Sequence, residues 1–182
     1  MPRAPKPPIQ RTRTGFRVNL DIEERQLIHR LLAELRALMD GSRAARADHN
    51  ELNDPVDVHP GEDERLRRLF PSAYHQAQDR EMDDEFRRLM HDDLITSRLA
   101  GLDLVGNALA PDDLRSPELS ETQLTAFLQA LNGVRLVLGT ILDVSEDHDA
   151  GDVRDDHPLV GEYHLYDFLS WVLDSSVRAL QS

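Results

Sequence analysis

Residues 119–142 read "LSETQLTAFLQALNGVRLVLGTIL", and this stretch decides the fold. Leu124, Phe127, Leu128, Leu131, Val134, Leu138, Ile141 and Leu142 recur at three- and four-residue spacing, which predicts a helix with a wide apolar face. Ser120 followed by Gln123 has the spacing of a capping box and marks its start. A helix this apolar needs partners, and the chain offers them on both sides. Upstream, Asp21 and Glu24 form a second capping box ahead of the stripe Leu27, Ile28, Leu31, Leu32, Leu35, Leu38 and Met39, with Gly41 as the expected stop. A third helix is expected from about Gln78 to Leu99, with Met82, Phe86, Leu89 and Met90 inward and its end weakened by Gly101 and Gly106. A shorter one, Asp63 to Phe70, is cut by Pro71. Downstream, Tyr166, Leu169, Val172, Leu173 and Leu180 define a last helix from about Gly161 to Leu180. Phe16, Val18 and Leu20 alternate with polar positions, as in a short half-buried strand. The expected fold is all-α: a compact bundle of four to six helices with one short N-terminal strand.

The 182 residues suffice for one domain. Residues 1–14, rich in proline and basic side chains, read as a disordered basic arm. Residues 15–182 read as a single helical domain with acidic loops near 40–62 and 145–158. No apolar run approaches a membrane span and no secretory leader is visible, which predicts a cytoplasmic protein. The absence of cysteine excludes disulfides, thiolate zinc sites and thiol switches. Net charge is −13, and five basic residues (Arg3, Lys6, Arg11, Arg13 and Arg17) precede the first acid, Asp21. The rest of the chain is therefore still more acidic. It should repel nucleic-acid phosphates and attract basic partners, while the leading stretch does the opposite.

In "RRLFPSAYHQAQDREMDDEFRRL" (67–89), His75, Asp79 and Asp83 would share one helical face and could hold a metal. Asp83–Arg87 and Asp84–Arg88, at i,i+4, account for the acids as a self-paired surface instead. Leu69, Phe70 and Tyr74 read as anchors of a turn against the core. His148 and Asp149 lie in an acidic loop that could bind hard cations, although its glycine and proline fall at the wrong positions for an EF-hand. His164 could pair with Asp167. Arg135, on the most apolar helix, reads as lying on its polar side. Tyr163, Phe168 and Trp171 are candidates for an apolar patch, with most of them expected in the core.

No phosphate loop, dinucleotide fingerprint, nucleophile elbow or zincin motif is present. No catalytic residue, cofactor or firm metal site is expected. The acids Asp79, Asp83, Asp84, Asp92, Asp93, Asp147, Asp149 and Asp152 are candidate partner contacts. Arg3, Lys6, Arg11, Arg13 and Arg17 are candidate nucleic-acid contacts.

The order "FRVNLDIEERQLIHRLLAEL", "DPVDVHPGEDERLRRLFPSAYHQAQDREMDDEFRRLM", "LSETQLTAFLQALNGVRLVLGTIL" and "HLYDFLSWVLDSSVRAL" resembles the actinobacterial domain-of-unknown-function family that includes the oxidative-stress transcriptional regulator AosR. The most specific part is Arg68-Leu69-Phe70-Pro71 with Ala73-Tyr74, then Glu85-Phe86-Arg87. The resemblance implies a mainly helical protein that acts in transcription by contact with a sigma factor rather than by catalysis. Cysteine-based redox sensing, attributed to that regulator, has no counterpart in a chain without cysteine. The expected function is thus a non-enzymatic accessory transcriptional regulator in the stress response. Two other readings stand beside it: a metal-dependent enzyme using carboxylates and histidines, and a structural or protease-adaptor-associated interaction protein.

Overall fold

A computed structural model describes residues 6–51, 69, 80–109, 112–144 and 156–182, without the side chains of 45–51 and 80–92. The described chain is mainly helical. In order it runs β1 (Ile9–Arg11), β2 (Phe16–Val18), α1 (Ile22–Glu51), α2 (Arg80–Leu109), β3 (Glu118–Leu119), α3 (Glu121–Ile141) and α4 (Val160–Gln181).

α3 is the axis of the fold and packs against α1, α2 and α4. Its start is the expected one: the Gln123 amide donates to Ser120 Oγ at 3.2 Å, and the Ser120 amide donates to Gln123 Oε1 at 2.8 Å. Leu124, Phe127, Leu131, Val134 and Leu138 are buried. Each such side chain stabilises the fold by about 1.5–3 kcal/mol relative to exposure. Ile141, expected inside, is exposed at the helix end. Among the described residues α3 is the one helix long and apolar enough to cross a membrane. Burial against three other helices accounts for that composition. Gly133 serves the same packing, since a Cβ there would lie 3.0 Å from the Leu35 side chain of α1.

α1 and α2 run antiparallel. Near one end Arg25 reaches the Leu109 carbonyl, and further along Arg36 reaches the Leu99 carbonyl and the Asp103 carboxylate. The Asp21–Glu24 box is formed, with both reciprocal hydrogen bonds at 2.8 Å. Two helix ends differ from expectation. α1 does not stop at Gly41 but continues to Glu51. One glycine costs roughly 1 kcal/mol against alanine, too little to end a helix followed by "SRAARA". α2 likewise passes through Gly101 and Gly106 to Leu109, because Leu102, Val105 and Leu109 continue the buried stripe begun by Ile95 and Leu99. Met82, Phe86, Leu89 and Met90 fall outside the described side chains.

The fold is not purely helical, because the three strands form an antiparallel sheet in the order β1-β2-β3. The strand expected over residues 15–20 is its centre, shorter than expected at Phe16–Val18, with Phe16 and Val18 buried and Arg17 exposed between them. Ile9–Arg11, inside the stretch read as a disordered arm, form β1, and Ile9 is only 2% exposed. Arms of this composition lack enough apolar surface to order on their own. Here Ile9 reaches the core and α4 closes the strand's outer edge. Ser175 Oγ accepts from the Ile9 amide at 3.1 Å and donates to the Ile9 carbonyl at 3.3 Å. One hydroxyl thus satisfies both outward backbone groups of an edge residue. β3 was not foreseen. It pairs Leu119 with Phe16 and Glu118 with Arg17, and it approaches so closely that a Cβ on Gly15 would lie 2.4 Å from the Leu119 carbonyl oxygen.

Candidate functional site

The N-terminal hairpin gathers most of the chain's leading positive charge. Lys6, Arg11, Arg13 and Arg17 are all exposed; Arg3 lies outside the described residues. Instead of trailing as an arm, the arginines stand on a folded hairpin. Arg11 lies over the Phe16 ring at 5.4 Å, a cation–π contact that holds its direction. Arg17 is flanked across the sheet by Gln10 and Glu118. The connecting loop is tied inward: the Thr12 amide donates to the Gly15 carbonyl at 2.8 Å, and the Gly15 amide to Thr12 Oγ1 at 3.0 Å.

Glu118 is the counter-charge to this hairpin. Its Oε1 accepts from the Thr14 hydroxyl at 2.8 Å and also from the Thr12 hydroxyl. The hydrogen bond from Thr12, then that from Thr14, and finally the positive charge of Arg17 hold the Glu118 carboxyl below its ordinary value of 4.5.

Of the acids proposed as partner contacts, Asp93 has a described side chain, and it is exposed. Asp79, Asp83, Asp84, Asp92, Asp147, Asp149 and Asp152 lie outside the described side chains, as do His75 and His148. Among the described residues no three histidine or carboxylate side chains converge as metal ligands. His164 is exposed, and no hydrogen bond or ion pair joins it to Asp167. The neighbouring Tyr163 takes a different part: its hydroxyl donates to the Leu142 carbonyl at 3.2 Å and its ring stands edge-on to His157, which pins the start of α4 to the end of α3.

Arg135 does not lie on a solvated side. It is half-buried between α3 and α4, with its guanidinium 5.2 Å from the Tyr166 ring and Nη1 donating to Ser170 Oγ at 3.5 Å. Trp171 is 50% exposed beside half-buried Phe168, while Tyr163 is half-buried. The apolar patch is therefore carried mainly by Trp171. Leu69 is buried as expected of a turn anchor. Its carbonyl accepts from Arg98 at 3.0 Å, and burial pushes the Arg98 guanidinium below its ordinary value.

Sequence reasoning passed over three residues that organise this surface. Arg25 is 2% exposed and donates to the carbonyls of Asp21, Leu109 and Asp113, which ties the C-terminal end of α2 and the linker that follows to α1. The signal was present, since Arg25 lies three positions before Ile28 and seven before Leu32, on the buried stripe itself. Ser175 likewise interrupts the stripe of Leu169, Val172 and Ala179. Glu118 carried no sequence signal, because its role depends on a strand pairing across the whole α1–α2 hairpin.

Residues 6–180 match the sequence profile of a domain of unknown function, DUF2017. The chain is also similar to the oxidative stress regulator AosR of Mycobacterium tuberculosis and of Mycobacterium bovis, at 28% identity over 93% of this chain and 84% of the relative in each case. No solved structure matches. With its profile running from the basic hairpin to the last turn of α4, the chain is a member of the DUF2017 family of domains of unknown function.

Proposed function

We propose that this chain is a non-enzymatic accessory transcriptional regulator that acts by docking its acidic helical body on a basic protein surface of the transcription machinery, with a sigma factor as the candidate partner. The observation that carries this reading is the similarity, over nearly its whole length, to a protein named as a regulator of the oxidative stress response. The charge distribution supports docking as the mode of action. The net charge is −13 with the basic leading residues included, so the body beyond them is still more acidic, and such a surface steers oppositely charged partners at long range. The proposed contacts are the acids of residues 79–93, of which Asp93 is described and exposed, together with those of residues 145–157. A response to oxidation in this chain must operate through something other than thiols.

Co-purification with sigma factors at low and at high salt tests the reading. Retention at low salt that weakens as salt rises is the expected result. Absence of any transcription-machinery partner at both salt levels removes the proposal.

A further inference from the structure

We infer that Thr14 is a phosphorylation site for a protein kinase that selects basic flanking residues, and that its modification releases the β1–β2 loop from Glu118. This goes beyond the docking reading and does not depend on it.

Three observations meet at Thr14. Its side chain is exposed on the loop joining β1 to β2, whereas Thr12 is half-buried and engaged with both Gly15 and Glu118. Arg11 stands three positions before Thr14, Arg13 one before and Arg17 three after, and all three are exposed. In a chain of net charge −13 this is the stretch that could enter an acidic substrate groove. Thr12 lacks the same context, since buried Ile9 occupies its third preceding position. Finally, the Thr14 hydroxyl is already in use, because it donates to Glu118 Oε1 at 2.8 Å.

In the transfer, Thr14 Oγ1 forms a bond to the γ-phosphorus of a nucleoside triphosphate as the bridging P–O bond breaks. The diphosphate leaves, and the hydroxyl proton passes to the kinase's base. The esterified Thr14 Oγ1 no longer has a proton to donate to Glu118, and the new group carries a charge of about −1.5 to −2. Repulsion between phosphate and carboxylate then opens the contact. Arg11, Arg13 and Arg17 are close enough in sequence to turn toward the phosphate, so the hairpin loses net positive charge at the same step.

The test incubates the full chain with magnesium ATP and the catalytic domain of a Ser/Thr kinase that requires arginine three residues before the acceptor. Peptide mass mapping locates the phosphate, and amide hydrogen exchange follows residues 12–18 and 118–119. Phosphate is expected at Thr14, with none at residues 12–14 in Thr14→Val and about tenfold less in Arg11→Ala. Exchange in the hairpin should quicken by roughly five- to tenfold, the scale of one or two lost hydrogen bonds. Phosphate missing from Thr14, or Thr14 phosphorylated with unchanged exchange, overturns the inference. Neither result bears on whether the body docks on a sigma factor.

Discussion

A guanidinium held at 2% exposure, as in Arg25, is tolerated only where its N–H groups find acceptors. Here those are carbonyls at the end of α2 and in the linker beyond it, where the helix leaves acceptors without intrahelical partners. Arg25→Ala should therefore destabilise the protein by about 2–4 kcal/mol, combining a cavity with stranded carbonyls; the shift in urea midpoint measures it. Arg25→Lys should recover only part, because an ammonium cannot reproduce the fork.

Glu118 makes a pH prediction. Its folded pKa is depressed, first by the Thr12 and Thr14 hydroxyls and then by Arg17. A group of this kind stabilises the fold at pH above its ordinary value of 4.5, and that contribution disappears as pH falls through the lower folded value. Asp113 acts in the same direction, chiefly through the Arg115 amide bonded to its Oδ1 at 2.9 Å. Glu118→Gln should flatten the acid limb of a stability-versus-pH curve while leaving its shape above neutrality unchanged. An acid limb identical to that of the parent chain would show that the hairpin carboxylate is not coupled to folding.

The helices were legible because their signals are local. Both capping boxes formed as their spacing predicts, and the stripes of α3 and α4 are inward except for Ile141. The ends of α1 and α2 were not legible, because the small cost of a helical glycine does not stop either helix. Gly41 has open space around its Cα, so Gly41→Ala should raise stability by about 0.5–1 kcal/mol in thermal or denaturant unfolding. Gly15 is the opposite case. A methyl group there meets backbone at 2.4 Å that cannot swing aside, so Gly15→Ala should push β3 off β2 and cost roughly 1–3 kcal/mol. The sheet was only one-third visible in the sequence, since β1 owes its ordered outer edge to the distant last helix and β3 pairs with β2 across the whole of α1 and α2. Ser175, 166 positions from Ile9, is the clearest example.

Across the whole molecule the net charge is negative while the leading hairpin carries a local positive excess, an asymmetry that the order of residues revealed. What composition could not show is that the hairpin is folded against α4 rather than trailing from it. The direct measurement is the dissociation constant for a purified sigma factor across a range of salt concentrations, for the parent chain and for a variant with Asp92 and Asp93 changed to Asn. Docking through the acidic body predicts binding that weakens steeply with salt, with a shallower dependence and lower affinity in the variant. No binding at any salt, or binding indifferent both to salt and to the loss of these charges, would contradict it.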